Sequence, residues 1–219
     1  DNSIDRYFLW TGDVRLLLAI IKFAEDVKNV EHDTRYGDVR CILLIEDSIR
    51  FYSSYLPMLY TEVLEQTQSL MADDINLSHR LLRLRARPKI LLATDYEQAV
   101  ELVKKYRESL LCLITDVKFR KGEVMDENAG FSLVIHAREL IKGLPTVVQS
   151  SDIKNSRRAF ELMDEILGPT RTSQGDILFT RWITSGGMPL IVLSPATVGE
   201  AIEVPLYIPY AASDPSSAE

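Results

Sequence analysis

The sequence predicts an α/β fold, an open parallel sheet of about five strands with helices on both faces. Two observations carry that prediction. Apolar runs recur at "CILLIEDS" (41–48), "KILLAT" (89–94), "LCLITD" (111–116) and "LPTVVQSS" (144–151), and amphipathic helical segments separate them. Strands that are apolar throughout, without polar alternation, belong in parallel sheets covered on both sides. The composition agrees: 219 residues with 46% hydrophobic and 26% charged content are ordinary for a globular chain of one domain with additions.

Within residues 1–36, "YFLWTGD" (7–13) reads as a short strand. A cap at Asp13 follows, then a helix in which Leu16, Leu17, Ile20, Ile21 and Ala24 recur at helical spacing. "KNVEHDTRYGD" reads as a polar linker. The main unit, 37–167, starts with the strand "VRCILLIEDS". A helix through Leu56, Leu59, Val63, Leu64 and Leu70 comes next, with Pro57 as a kink or a late start. "NLSHRLLRLRARPK" reads as further helix, with Arg80, Arg83, Arg85 and Arg87 on a solvated face or a patch for an acidic partner. "DYEQAVELVKKYRESL" is a helix with Ala99, Leu102, Val103, Tyr106 and Leu110 inward. "VKFRKGEVMDENAG" is a loop and "FSLVIHARELIKG" a helix; another helix is expected over 152–167. Residues 168–219 mix apolar runs with prolines and glycines, form an irregular region that can complete the sheet, and end in expected disorder.

Net charge −7 and a sequence pI near 5.1 argue against bulk attraction to nucleic acid, and no apolar run reaches membrane-spanning length. Cys41 and Cys112 lie in strand-like runs and read as buried free thiols, which fits a reducing cytoplasm. His32, His79 and His136 are too scattered for a transition-metal site, and no Walker-type glycine-rich loop follows the first strand.

The chemistry gathers at strand ends. Glu46 and Asp47 end the first strand of the main unit, Asp116 the third, and Ser150 and Ser151 the fourth. Carboxyl ends of parallel strands share one edge, where ligands bind. If strands one and three are adjacent, which short right-handed crossovers allow, Asp116 faces the acidic pair. Three close carboxylates repel unless a cation joins them, and an all-oxygen set suits Mg²⁺ completed by phosphate. Asp116 is then a nucleophile able to form an aspartyl-phosphate, with the Ser150 hydroxyl reading the phosphorylated state. Acids in such places also cap helices, as Asp47 or Ser48 can for the helix that follows.

The segments "VRCILLIEDSIRFYSSYLPMLY", "LLATDYEQAVELVKK", "LLCLITDVKF", "AGFSLVIHAREL" and "GLPTVVQSSD" resemble the receiver domain of two-component response regulators, over about residues 39–153. That resemblance implies a flavodoxin-like sheet of order 2-1-3-4-5. It implies Mg²⁺ on Glu46, Asp47, Asp116 and the backbone carbonyl of Lys118, and a phosphoryl group received by Asp116 from a histidine kinase or phosphotransfer protein. It further implies a switch role for Ser150 and a match of Gly130 to the glycine opening the third helix of the unit. The location implied is cytoplasmic, and a homodimer is a possible assembly. "YFLWTGDVRLLLAIIKFAEDVKNVEHDTR" ahead of such a unit is similar to chains in which two receiver-like units precede a PEP/pyruvate-binding domain of the pyruvate phosphate dikinase type. Residues 1–36 would then be the last strand–helix step of an upstream receiver-like unit plus linker; the alternative is an N-terminal extension.

The family's fifth-strand lysine has no clear counterpart. Arg181 is a weak candidate for its role and Phe179 for the accompanying aromatic. A degenerate receiver acting as an interaction or dimerisation module without phosphotransfer is therefore the competing expectation. A phosphatase of the haloacid dehalogenase type would want an acid two residues after the nucleophile, where this chain has Lys118.

Overall fold

The computed structural model describes residues 6–71, 87–150, 183–185 and 188–193. Their elements in chain order are α1 (Arg15–Gly37), β1 (Cys41–Ile45), α2 (Ile49–Met71), β2 (Lys89–Ala93), α3 (Tyr96–Lys105), β3 (Leu110–Asp116), β4 (Phe119–Lys121), β5 (Val124–Asp126), α4 (Ala129–Leu140), β6 (Thr146–Gln149), β7 (Ile183–Ser185) and β8 (Met188–Leu193).

Four strands form a parallel sheet in the order β2-β1-β3-β6. This is the α/β arrangement expected, with β1 central. The next position departs from it: β8 lies beside β6 but runs antiparallel, and β7 pairs antiparallel with β8. Ile183–Ser185 and Met188–Leu193 are too close in sequence for a parallel crossover, which needs a dozen or more residues, whereas an antiparallel hairpin needs only two.

Alternation along β1 splits the core in two. Cys41, Leu43 and Ile45 face the layer built by α3 and α4, packing with Ala99, Val103, Leu133, Val134 and Ala137. Ile42 and Leu44 face the α1/α2 layer, packing with Ala19, Phe23, Tyr52, Leu56 and Tyr60. All five residues of β1 are buried. A strand with both faces covered cannot alternate with polar residues, which is why it reads as a continuous apolar run.

Beyond "YFLWTGD" (7–13), expected as a short strand and forming none, two segments differ from the sequence reading. The polar stretch 28–37 continues α1 and is no linker; the helix ends where Asp38 adopts φ 49° and the Val39 N–H donates to the Asp33 carbonyl at 3.2 Å. The face that α1 buries is Leu16, Ala19, Phe23, Asp26 and Val30, while Leu17 and Ile21 are exposed. The rotation follows from Asp26, a fully buried acid that a count of apolar positions leaves out. It accepts from Arg87 (Nη2 to Oδ1, 2.7 Å; Nη1 to Oδ2, 3.0 Å), from the Tyr60 hydroxyl (2.9 Å) and from the Ile90 N–H (2.9 Å). Arg87 is therefore buried in an ion pair and not part of a solvated arginine face; Arg80, Arg83 and Arg85 lie outside the described residues.

The second difference is "VKFRKGEVMDENAG", expected as a loop. It contains the β4–β5 hairpin, turned at Gly122 (φ 62°), a left-handed position that glycine occupies without Cβ strain. Residues 152–182 and 194–219, including the helix expected over 152–167, lie outside the described residues.

Candidate metal and phosphoryl site

The site is assembled by strand register. Ile45 pairs with Thr115, so the next residues along each strand, Glu46 and Asp116, emerge side by side. Asp116 in turn pairs with Gln149 of β6, after which comes buried Ser150. One oxygen from each of Glu46, Asp47 and Asp116 lies within 4.8 Å of the others. The three acids singled out in the sequence are thus brought together at the carboxyl edge of the sheet.

Their electrostatics are those of a crowded, partly buried acidic pocket. Burial, then the charge of Asp116, pushes the Glu46 carboxyl up to about 8, against the pull of the Ser48 N–H that donates to it at 3.1 Å. Burial likewise lifts Asp116 to about 6; the backbone N–H groups of Val117 and Lys118 oppose this, while Asp47 adds to it. Asp47 is raised by burial and held back by its own backbone N–H and by Arg120. Among the described residues no lysine or arginine forms an ion pair with any of the three. A partly buried set of oxygen donors with surplus negative charge is the environment a cation compensates, so these three acids could bind a metal ion.

Sequence reasoning missed several neighbours. Gln149 is buried, and its Nε2 donates to Glu46 Oε2 at 3.4 Å. Tyr55 on α2 has its phenol raised by burial and then by the charges of Glu46 and Asp116. Arg120 on the hairpin adds positive charge near Asp47. Gln149 directly precedes Ser150 at the end of an apolar run, a position whose register with Asp116 follows once the strand order is known. Tyr55 had no separate signal in the sequence.

The other predicted residues are distributed as follows. Lys118 supports Asp116 through its N–H, and its ammonium lies 3.3 Å from Glu127 Oε1 at the surface. Arg181 and Phe179 lie outside the described residues. Gly130 sits in the first turn of α4, its N–H donating to the Val117 carbonyl at 3.0 Å. A Cβ there would fall 2.1 Å from the Asp116 carbonyl oxygen. That contact is with backbone, so it cannot be relieved by a rotamer change. Gly130→Ala is expected to move the Asp116 loop and cost about 1–3 kcal/mol. A drop in melting temperature checks it; an unchanged melting temperature would contradict it.

Among the described residues no helix is long and apolar enough to cross a membrane. Cys41 and Cys112 are free thiols, both raised by burial, Cys41 to about 12 and Cys112 to about 11. In comparisons with protein-family models, with curated proteins and with solved structures, nothing matches this chain.

Proposed function

We propose that this domain is a phosphoryl acceptor of the response-regulator receiver type, taking the group onto Asp116 from a histidine kinase or phosphotransfer protein. The observation that carries the reading is the convergence of Glu46, Asp47 and Asp116 at the carboxyl edge of a parallel sheet. Glu46, Asp47, Asp116 and the Lys118 carbonyl would hold Mg²⁺, which when bound supplies positive charge to the acids and to the phosphoryl oxygens. Asp116 is the nucleophile. One of its carboxylate oxygens bonds to phosphorus, the P–N bond of a phosphohistidine donor breaks, and the electron pair stays on the imidazole nitrogen. The N–H groups of Val117 and Lys118 favour the ionised carboxylate that this attack requires. Ser150, buried next to the strand partner of Asp116, is suited to donate to a phosphoryl oxygen once transfer has occurred.

A second reading, an interaction module without phosphotransfer, draws on β8. It runs antiparallel in the position where a receiver has a parallel fifth strand carrying its lysine. Acetyl phosphate separates the two. With Mg²⁺, the acceptor reading expects one phosphoryl group per chain in the intact mass, lost on chelation and in Asp116→Asn. An interaction module gains no mass under any of these conditions.

A further inference from the structure

The β4–β5 hairpin aims one arginine at the mouth of the site. Phe119 is fully buried, and Lys121 on the same face of β4 sets its Nζ 4.4 Å from the centre of the Tyr96 ring. The Gly122 N–H donates to Glu97 Oε1 at 3.1 Å, and the backbone at Arg120 bridges to Asp95. With its neighbours anchored on one face of the strand, Arg120 projects from the other. There it lines a cleft of about 300 Å³ beside Asp47, and Arg6 lines the same cleft, donating to Thr94 Oγ1 at 3.3 Å. Among the described residues neither guanidinium has an ion pair. Asp95, also on the cleft wall, is committed to capping α3 through the Gln98 N–H at 2.8 Å. Arg120 acts on the Asp47 carboxylate through its charge without forming an ion pair with it; two such arginines, converging from separate segments on one recess, are a donor set for a tetrahedral oxyanion.

We infer that Arg6 and Arg120 form an oxyanion-binding cleft on the outer side of Asp47, which captures the phosphoryl oxygens of the donor before transfer. The inference rests on the phosphoryl-acceptor reading for its purpose, but binding is separable from transfer. The cleft is a recruiting site: it touches the incoming phosphate, while Asp116 attacks it. The hairpin inserted between Asp116 and Gly130 thereby acquires a role, holding Arg120 rigidly four residues beyond the nucleophile.

The test uses inorganic phosphate as the probe and Asp116→Asn as the background, since that protein cannot accept a phosphoryl group. With Mg²⁺ present, the arginine side-chain N–H resonances of Arg6 and Arg120 are expected to shift on phosphate titration. Adding Arg120→Ala or Arg6→Ala should weaken phosphate affinity roughly tenfold or more, the scale of one lost charge-assisted hydrogen bond. In the Asp116-containing protein the same substitutions should raise the acetyl phosphate concentration that half-saturates labelling. Absence of arginine shifts, or unchanged phosphate affinity in Arg120→Ala, overturns the cleft even if Asp116 is labelled. Arginine-dependent phosphate binding with no labelling of Asp116 would leave the cleft standing and remove the acceptor reading.

Discussion

Asp26→Ala is expected to destabilise the domain by about 3–5 kcal/mol, the cost of breaking a buried ion pair from one side. The substitution leaves the Arg87 guanidinium, 4% exposed, without its bidentate partner, and orphans the Tyr60 hydroxyl and the Ile90 N–H. Lys89 adds to the loss. It bonds Asp33 at 2.8 Å and stands 3.8 Å from Asp26, so two buried cations depend on two carboxylates of α1. For a chain of this size, one kcal/mol is about 2–4 °C of melting temperature, so a fall on the order of 10 °C is expected by calorimetry. Combining Asp26→Ala with Arg87→Met should recover much of it, because the uncompensated charge is then gone. A melting temperature within 2 °C or so of the parent for the single variant would mean that this network does not fasten α1 to the sheet edge.

The second large effect is on pH and Mg²⁺. Glu46 and Asp116 have folded values of about 8 and about 6, above the ordinary carboxylate range. The sign follows from linkage. Below their unfolded values both groups are protonated in either state and their contribution to stability is fully present. It is lost as pH rises through about 6 and then about 8, because the unfolded chain releases these protons more readily. At about 1.4 kcal/mol per pKa unit, the loss between pH 5 and pH 8.5 amounts to a few kcal/mol without metal. On the proposed reading Mg²⁺ would bind the ionised acids, so its stabilisation should be small at pH 5 and large at pH 8.5, approaching about 2.7 kcal/mol at a hundred times its dissociation constant. Melting curves at the two pH values, with and without Mg²⁺, read this directly. An equal Mg²⁺ shift at both would exclude these carboxylates as the binding groups.

The acids were legible because they are local exceptions: a charge at the end of a fully apolar run is conspicuous, and the strand order then brings Glu46, Asp47 and Asp116 together without further information. The four parallel strands were legible for the same reason, since burial on both faces writes itself as "CILLI" and "KILLA". Asp26 was not legible, because a buried acid on an amphipathic helix reads as solvent-facing until its partners, 34 and 61 residues away, are known. Arg120 stayed hidden in a segment read as a loop. Its two-residue alternation spans only Phe119–Lys121, too short for a strand signal, and only pairing with β5 orients it. The antiparallel β8 turns on pairing between residues 146–149 and 190–193, which no local pattern announces.

Borohydride trapping reads out the proposed phosphorylation of Asp116 itself. The protein is treated with acetyl phosphate and Mg²⁺, reduced with borohydride, which converts an aspartyl-phosphate to homoserine, and mapped by peptide mass spectrometry. The account predicts homoserine at position 116, dependent on Mg²⁺ and absent when the chelator is added first. An unmodified Asp116 with Mg²⁺ bound, or conversion at a different acid, would contradict it.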